Sequence, residues 1–140
     1  MKNKISDIIK LKKLSHPFST VTAYDFPTAK IINELNVPLV LVGDSASMVV
    51  YGYDDTTKIT MAEMMLITKA VSRGIDKALL VGDMPFMSYQ PSIEQAIKNA
   101  GRFIKEGGAD AIKLEGGIEY INQIKEIIKS GIPVMGHIGL

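Results

Sequence analysis

Three short apolar runs each end in a carboxylate: Val42-Gly43-Asp44-Ser45, Val81-Gly82-Asp83-Met84 and Lys113-Leu114-Glu115-Gly116. The acids are 39 and then 32 residues apart, about one strand-plus-helix unit each. If the runs are neighbouring parallel strands, about 4.8 Å apart, the three acids share one rim. That is the rim where α/β folds place binding and catalytic groups. Three carboxylates in a small volume repel one another, so either one holds a proton or a cation compensates them. An all-oxygen set without His or Cys suits a hard divalent ion such as Mg2+, which keeps some waters for a substrate to displace. The plain alternative is that each acid caps the following helix or binds a loop amide.

Lys113 stands two residues before Glu115, so both side chains point to one face of a strand. A lysine on a buried strand needs a partner; it either neutralises a carboxylate ligand or satisfies Glu115 and Asp83. Ser45 is a candidate ligand-binding hydroxyl, since no base at a recognisable spacing makes it a nucleophile. His137, flanked by Gly136 and followed by Gly139, sits at the end of the fifth apolar run, at a possible active-site mouth. His16, ahead of Pro17, reads as structural.

The elements that must position these groups alternate. Apolar runs at residues 19–24, 38–43, 78–82, 111–114 and 133–136 are near-continuous, as strands buried on both faces are. Four helices separate them. The first follows the N-cap Asp25, has Pro27 in its first turn and places Ile31, Ile32 and Leu35 on one face. The second opens on the capping-box pattern Thr60–Glu63 and stops at Gly74; the third opens on Ser92–Gln95, another such pattern, with Ile93, Ala96, Ile97, Ala100 and Ile104 facing inward. The fourth carries Ile121, Ile124, Ile127 and Ile128. Residues 45–59 read as a long irregular loop, which in a compact fold is usually functional. Strict alternation implies parallel strands with right-handed crossovers, either a doubly wound open sheet or the first part of a (β/α)8 barrel. Length favours the open sheet, because a barrel needs about 250 residues.

The rest of the composition excludes more than it assigns. The 140 residues are 46% hydrophobic and 22% charged, with no Cys and a formal charge of +1. Disulfides, thiolate metal sites and cysteine nucleophiles are out, and nothing suggests a nucleic-acid-binding face or a membrane span. The lysine-rich stretch 2–13 lacks arginine and a signal peptide's apolar core, and reads as a packing helix with its lead-in over residues 1–17. A cytoplasmic location is expected.

The words themselves resemble a family. Thr22-Ala23-Tyr24-Asp25, Leu41-Val42-Gly43-Asp44-Ser45, Gly52-Tyr53-Asp54, residues 68–74 (Thr-Lys-Ala-Val-Ser-Arg-Gly), residues 83–89 (Asp-Met-Pro-Phe-Met-Ser-Tyr), residues 109–117 and Gly136-His137-Ile138-Gly139-Leu140 are similar to ketopantoate hydroxymethyltransferases, in one register from about residue 18 onward. The resemblance implies a (β/α)8 TIM barrel, with residues 1–140 covering the N-terminal helix, about five strands and four helices. It implies a homo-oligomeric enzyme that transfers a one-carbon unit from 5,10-methylenetetrahydrofolate to 3-methyl-2-oxobutanoate, giving 2-dehydropantoate for pantothenate synthesis. Asp44, Asp83 and Glu115 would then serve Mg2+, and Asp44, Ser45, Asp83 and Lys113 the oxo acid.

The family's general base is a glutamate in the later half, so it is expected beyond Leu140, and this stretch alone is expected to turn over little. Ala46-Ser47 stand where Leu-Gly is usual, and Ile67 where a His is common; these positions bear on substrate fit. Two alternatives stand beside the family reading. One is a non-catalytic half-barrel or a subunit completed by a second polypeptide. The other is a Mg2+-dependent oxo-acid lyase or mutase of the phosphoenolpyruvate mutase type.

Overall fold

The computed structural model describes residues 2–14 and 17–139; His16 lies outside them. Helix α1 (Ile5–Lys13) precedes five strands: β1 (Thr20–Thr22), β2 (Leu39–Val42), β3 (Leu79–Asp83), β4 (Ala111–Glu115) and β5 (Val134–His137). The connecting helices are α2 (Phe26–Glu34), α3 (Ala46–Val49), α4 (Met61–Ser72), α5 (Ile93–Lys105) and α6 (Ile121–Lys129). All strand pairs are parallel, in the order β1-β2-β3-β4-β5.

That order decides between the two architectures. A doubly wound sheet reverses its strand order at a switch point; this one never does, and right-handed crossovers then put every connecting helix on one face. Burial agrees. Val40, Val42, Leu80, Ile112 and Leu114 pack with Ile32, Met64, Val71, Phe103 and Ile127 of the helices. The alternate residues Leu39, Leu79, Val81 and Ala111 point the other way and pack with Ile5, Ile8, Phe18, Leu41 and Met135. The winding is that of a (β/α)8 barrel over five strands, and the second set lines its interior.

Helix α1 lies against that interior as a packing helix. Its lead-in is tied to the strand starts: the Asn3 amide donates to Lys77 O at 2.7 Å, Asn3 Nδ2 to Pro38 O at 3.0 Å, and Lys2 Nζ pairs with Asp110 at 2.7 Å. Among the described residues, no helix is long and apolar enough to cross a membrane.

Local signals set the helix starts. The Asp25 carboxylate accepts from Thr28 N at 2.7 Å, and Thr60 and Glu63 form a reciprocal capping box, at 3.2 Å and 2.7 Å. Ser92 caps α5 through Gln95 N at 3.1 Å, but the expected second half of its box is absent: Gln95 Nε2 donates to Met87 O instead. On α2 the expected apolar face is only partly right. Ile32 is buried while Ile31 and Leu35 are 61% and 70% exposed, and Asn33 takes the inward place. Its side chain donates to Asp76 Oδ1 at 2.7 Å and accepts from the amides of Asp76 and Lys77 at 3.0 Å. Ile93 and Ile128 likewise stay substantially exposed. The stretch 45–59, expected to be irregular, holds α3 and a 3-10 turn at Thr56–Lys58.

Candidate active site

Strand register decides which polar groups meet at the rim. Asp83 is the cross-strand partner of Lys113, and Glu115 of His137. Asp83, Lys113 and Glu115 all fall on the interior face, above the apolar layer of Val81 and Ala111. Asp44 and Ser45 follow the end of β2, and the Asp44 amide donates to Asp83 Oδ2 at 3.3 Å.

Lys113 Nζ donates to both Asp83 oxygens, at 2.9 and 2.8 Å, with the two side chains 15% and 4% exposed. Lys113 therefore pairs with Asp83 rather than with Glu115. Burial pushes the Asp83 carboxyl above its ordinary range, and the Lys113 ammonium works against that shift. Asp44 is pushed up to about 6, first by burial and then by the neighbouring Asp83 charge. Two carboxylates thus share one cation in a partly dry site.

Glu115 reaches the same rim with its side chain 56% exposed, and His137 Nδ1 faces it across 4.0 Å. That imidazole nitrogen is buried and has no hydrogen-bond partner among the described residues. A cleft of about 320 Å3 opens over the strand ends. Its acidic side is Asp44, Asp83 and Glu115; Thr56, Thr57 and Gln90 add polar groups, and Phe86, Tyr89 and Tyr120 add aromatic walls. Among the described residues, no three carboxylate or imidazole groups stand close enough to hold one ion together. The three acids line one cleft, but only Asp44 and Asp83 are in contact.

Comparison with known proteins settles the family. The model of the ketopantoate hydroxymethyltransferase family matches residues 2–140. The chain belongs to that family. It is 53% identical over 140 residues to a 3-methyl-2-oxobutanoate hydroxymethyltransferase of Dehalococcoides mccartyi (strain BAV1), covering 100% of this chain and 50% of that protein. The corresponding protein of Clostridium novyi (strain NT) is 54% identical, with 100% of this chain and 51% of that protein covered. The chain spans about half the length of these curated relatives. In solved structures its fold is similar to a phosphoenolpyruvate phosphomutase from Streptomyces platensis subsp. rosaceus, with TM-score 0.73, 13% identity, and 96% of this chain and 53% of that one covered. It is also similar to a 2,3-dimethylmalate lyase of the PEP mutase/isocitrate lyase superfamily, with TM-score 0.70, 13% identity, and 97% and 52% covered. At that identity the likeness is one of fold, and it is the half-barrel fold.

The positions where this family chain departs from the usual words do not line the cleft. Ile67 is buried in the helix layer behind the sheet. Ala46 is also buried there, and Ser47 Oγ donates to Asp55 O at 2.6 Å, anchoring the turn that carries Thr56 and Thr57. The tyrosines are what residue-by-residue reasoning passed over. Tyr89, after β3, donates its hydroxyl to Glu115 O at 2.7 Å and accepts from Glu115 N at 3.1 Å. Its ring meets Tyr120 edge-on, with centroids 5.4 Å apart, and burial pushes its hydroxyl up to about 12. Tyr24, after β1, meets Ser45 Oγ at 2.7 Å. Tyr24 stands two residues past the end of β1, a position that signals it, whereas Tyr89 lies six past β3 and no local spacing marks it.

Proposed function

We propose that this chain carries the metal- and oxo-acid-binding part of an enzyme that moves a hydroxymethyl group from 5,10-methylenetetrahydrofolate to 3-methyl-2-oxobutanoate, giving 2-dehydropantoate. The observation that carries the reading is the Asp44–Asp83–Lys113 cluster at the strand ends, with its excess carboxylate held in a half-buried cleft.

The residues fit Mg2+. Two hard oxygen donors side by side, with a third carboxylate on the rim, match an ion that takes one or two protein carboxylates and fills its remaining positions from water and substrate. Burial raises both carboxyls, and the neighbouring Asp83 charge adds to the rise at Asp44; a divalent cation facing the pair would offset both effects and be favoured there. Asp44 and Asp83 would hold it, with Glu115 beside it. When bound, Mg2+ supplies Lewis-acid polarisation of the substrate's keto oxygen, which makes the adjacent C–H more acidic.

The chain's own side chains do the rest of the binding. Lys113 presents positive charge to the substrate carboxylate while remaining tethered to Asp83. Ser45 offers a hydroxyl to a substrate oxygen. Phe86 and Tyr120 give the branched alkyl group an apolar wall, and exclusion of water there strengthens each charge contact. We place the proton acceptor in the part of the relatives' length that these 140 residues do not span, so these residues by themselves should bind oxo acid and turn over little.

Calorimetric titration tests this. 3-Methyl-2-oxobutanoate should bind in the presence of Mg2+ and not with EDTA, and Asp44→Asn or Asp83→Asn should weaken that binding by at least about tenfold. Oxo-acid binding indifferent to Mg2+, or undiminished in both variants, would overturn the site. Robust 2-dehydropantoate formation by the 140 residues alone would overturn the placement of the proton acceptor.

A further inference from the structure

Ser45 and Tyr24 form a hydroxyl pair that the Mg2+ site does not explain. Their oxygens are 2.7 Å apart, although one residue follows β1 and the other β2. The approach depends on Gly43: a Cβ there would stand 2.8 Å from Ser45 Oγ and 3.6 Å from Tyr24 Oη. The backbone beneath the pair has therefore been kept bare, and neither oxygen is left without a partner.

Each hydroxyl carries its own proton, but only one of the two can lie in the contact between the oxygens, and which one it is matters. A 2-oxo acid offers only acceptors, in its carboxylate and its ketone. Ser45 can serve such a ligand only by donating, and it then needs a different proton to satisfy its own oxygen. A phenol is the better donor of the two. We infer that Tyr24 is a positioning residue: its hydroxyl donates to Ser45 Oγ, which aims the serine proton away from the tyrosine and toward an acceptor-only ligand. The inference rests on the oxo-acid reading of the site and adds a preference to it. Ser45, one residue beyond the cleft-lining Asp44, would then select carboxylate and carbonyl oxygens over donors such as hydroxyls and amines.

Binding of 3-methyl-2-oxobutanoate in saturating Mg2+, with Mg2+ binding alone as a second readout, tests the inference on the wild type and four variants. Tyr24→Phe keeps the ring and removes the donor; it should weaken oxo-acid binding by about fivefold, the worth of one ordinary hydrogen bond, and leave Mg2+ affinity within about twofold of wild type. In the Ser45→Ala background the same change should cost less than about twofold, because Tyr24 acts only through the serine. Gly43→Ala, which displaces Ser45 Oγ while Tyr24 is intact, should reproduce the Tyr24→Phe loss. Thermal melting of each variant confirms folding. Oxo-acid affinity unchanged in Tyr24→Phe, or a full fivefold loss persisting in Ser45→Ala, would overturn the inference and leave the proposed site standing. A wild-type chain that takes up no oxo acid with Mg2+ would overturn both.

Discussion

Replacing Lys113 by Met is the sharpest probe of the site's electrostatics. In the wild type, Lys113 Nζ sits 2.8 and 2.9 Å from the Asp83 oxygens, and the pair is nearly closed to solvent. Removing one partner from a buried pair leaves an uncompensated charge and costs about 3–5 kcal/mol. Asp83 has an escape: burial already pushes its carboxyl upward, and without the ammonium it would take a proton instead of staying charged. Protonation becomes harder by about 1.36 kcal/mol for each pH unit. Asp83 taking up a proton in the variant makes the penalty grow with pH, by at most about 1.36 kcal/mol for each pH unit over which the carboxyl is protonated in the folded variant alone. Urea unfolding at the two pH values measures this. Lys113→Met should lose about 3–5 kcal/mol at pH 8 and about 1 kcal/mol or less at pH 5. The double variant Lys113→Met with Asp83→Leu should recover most of the pH 8 loss, since an apolar pair of similar volume replaces a buried ion pair at little cost. A loss below about 1 kcal/mol at pH 8, or equal losses at both pH values, would refute the buried-pair account.

In the wild type, the raised Asp44 and Asp83 carboxyls bind protons more tightly folded than unfolded. Stability should therefore rise as the pH falls from about 7 to 5, and then fall below about 4 as the capping carboxylates Asp55 and Glu63, whose pKa values are lowered by their hydrogen bonds, become protonated; Asp44→Asn should flatten the rise. Tyr89→Phe keeps the edge contact with Tyr120 but leaves the peptide groups of Glu115 without their hydroxyl partner, so a loss of about 1–3 kcal/mol in urea unfolding is expected. Gly82→Ala would put a methyl 2.3 Å from the Phe103 ring. It should destabilise by about 1–3 kcal/mol or more, with partial rescue by Phe103→Leu, and an unaffected midpoint would show that α5 packs on β3 differently.

Capping residues and apolar periodicity act over a few residues, so they are legible in a chain read alone. Asp25, Thr60 with Glu63, and Ser92 each start a helix where expected, and the five apolar runs are strands. The placing of acids at run ends also needs no tertiary information, and it led to Asp44, Asp83 and Glu115. Which way α2 turns was not legible. Ile31, Ile32 and Leu35 look like a core face, yet three hydrogen bonds to Asn33 set the helix rotation and leave two of the three in solvent. Those partners lie more than 40 residues away, and no local pattern reports them.

The choice between open sheet and barrel rested on strand order, which adjacency in space decides. The partner of Lys113 was decided the same way. Glu115 is on the same face but two residues along, about 6.6 Å by strand rise, whereas register puts Asp83 directly across. The local sequence determined which groups would reach the rim; only the pairing of strands far apart in the chain decided which of them touch.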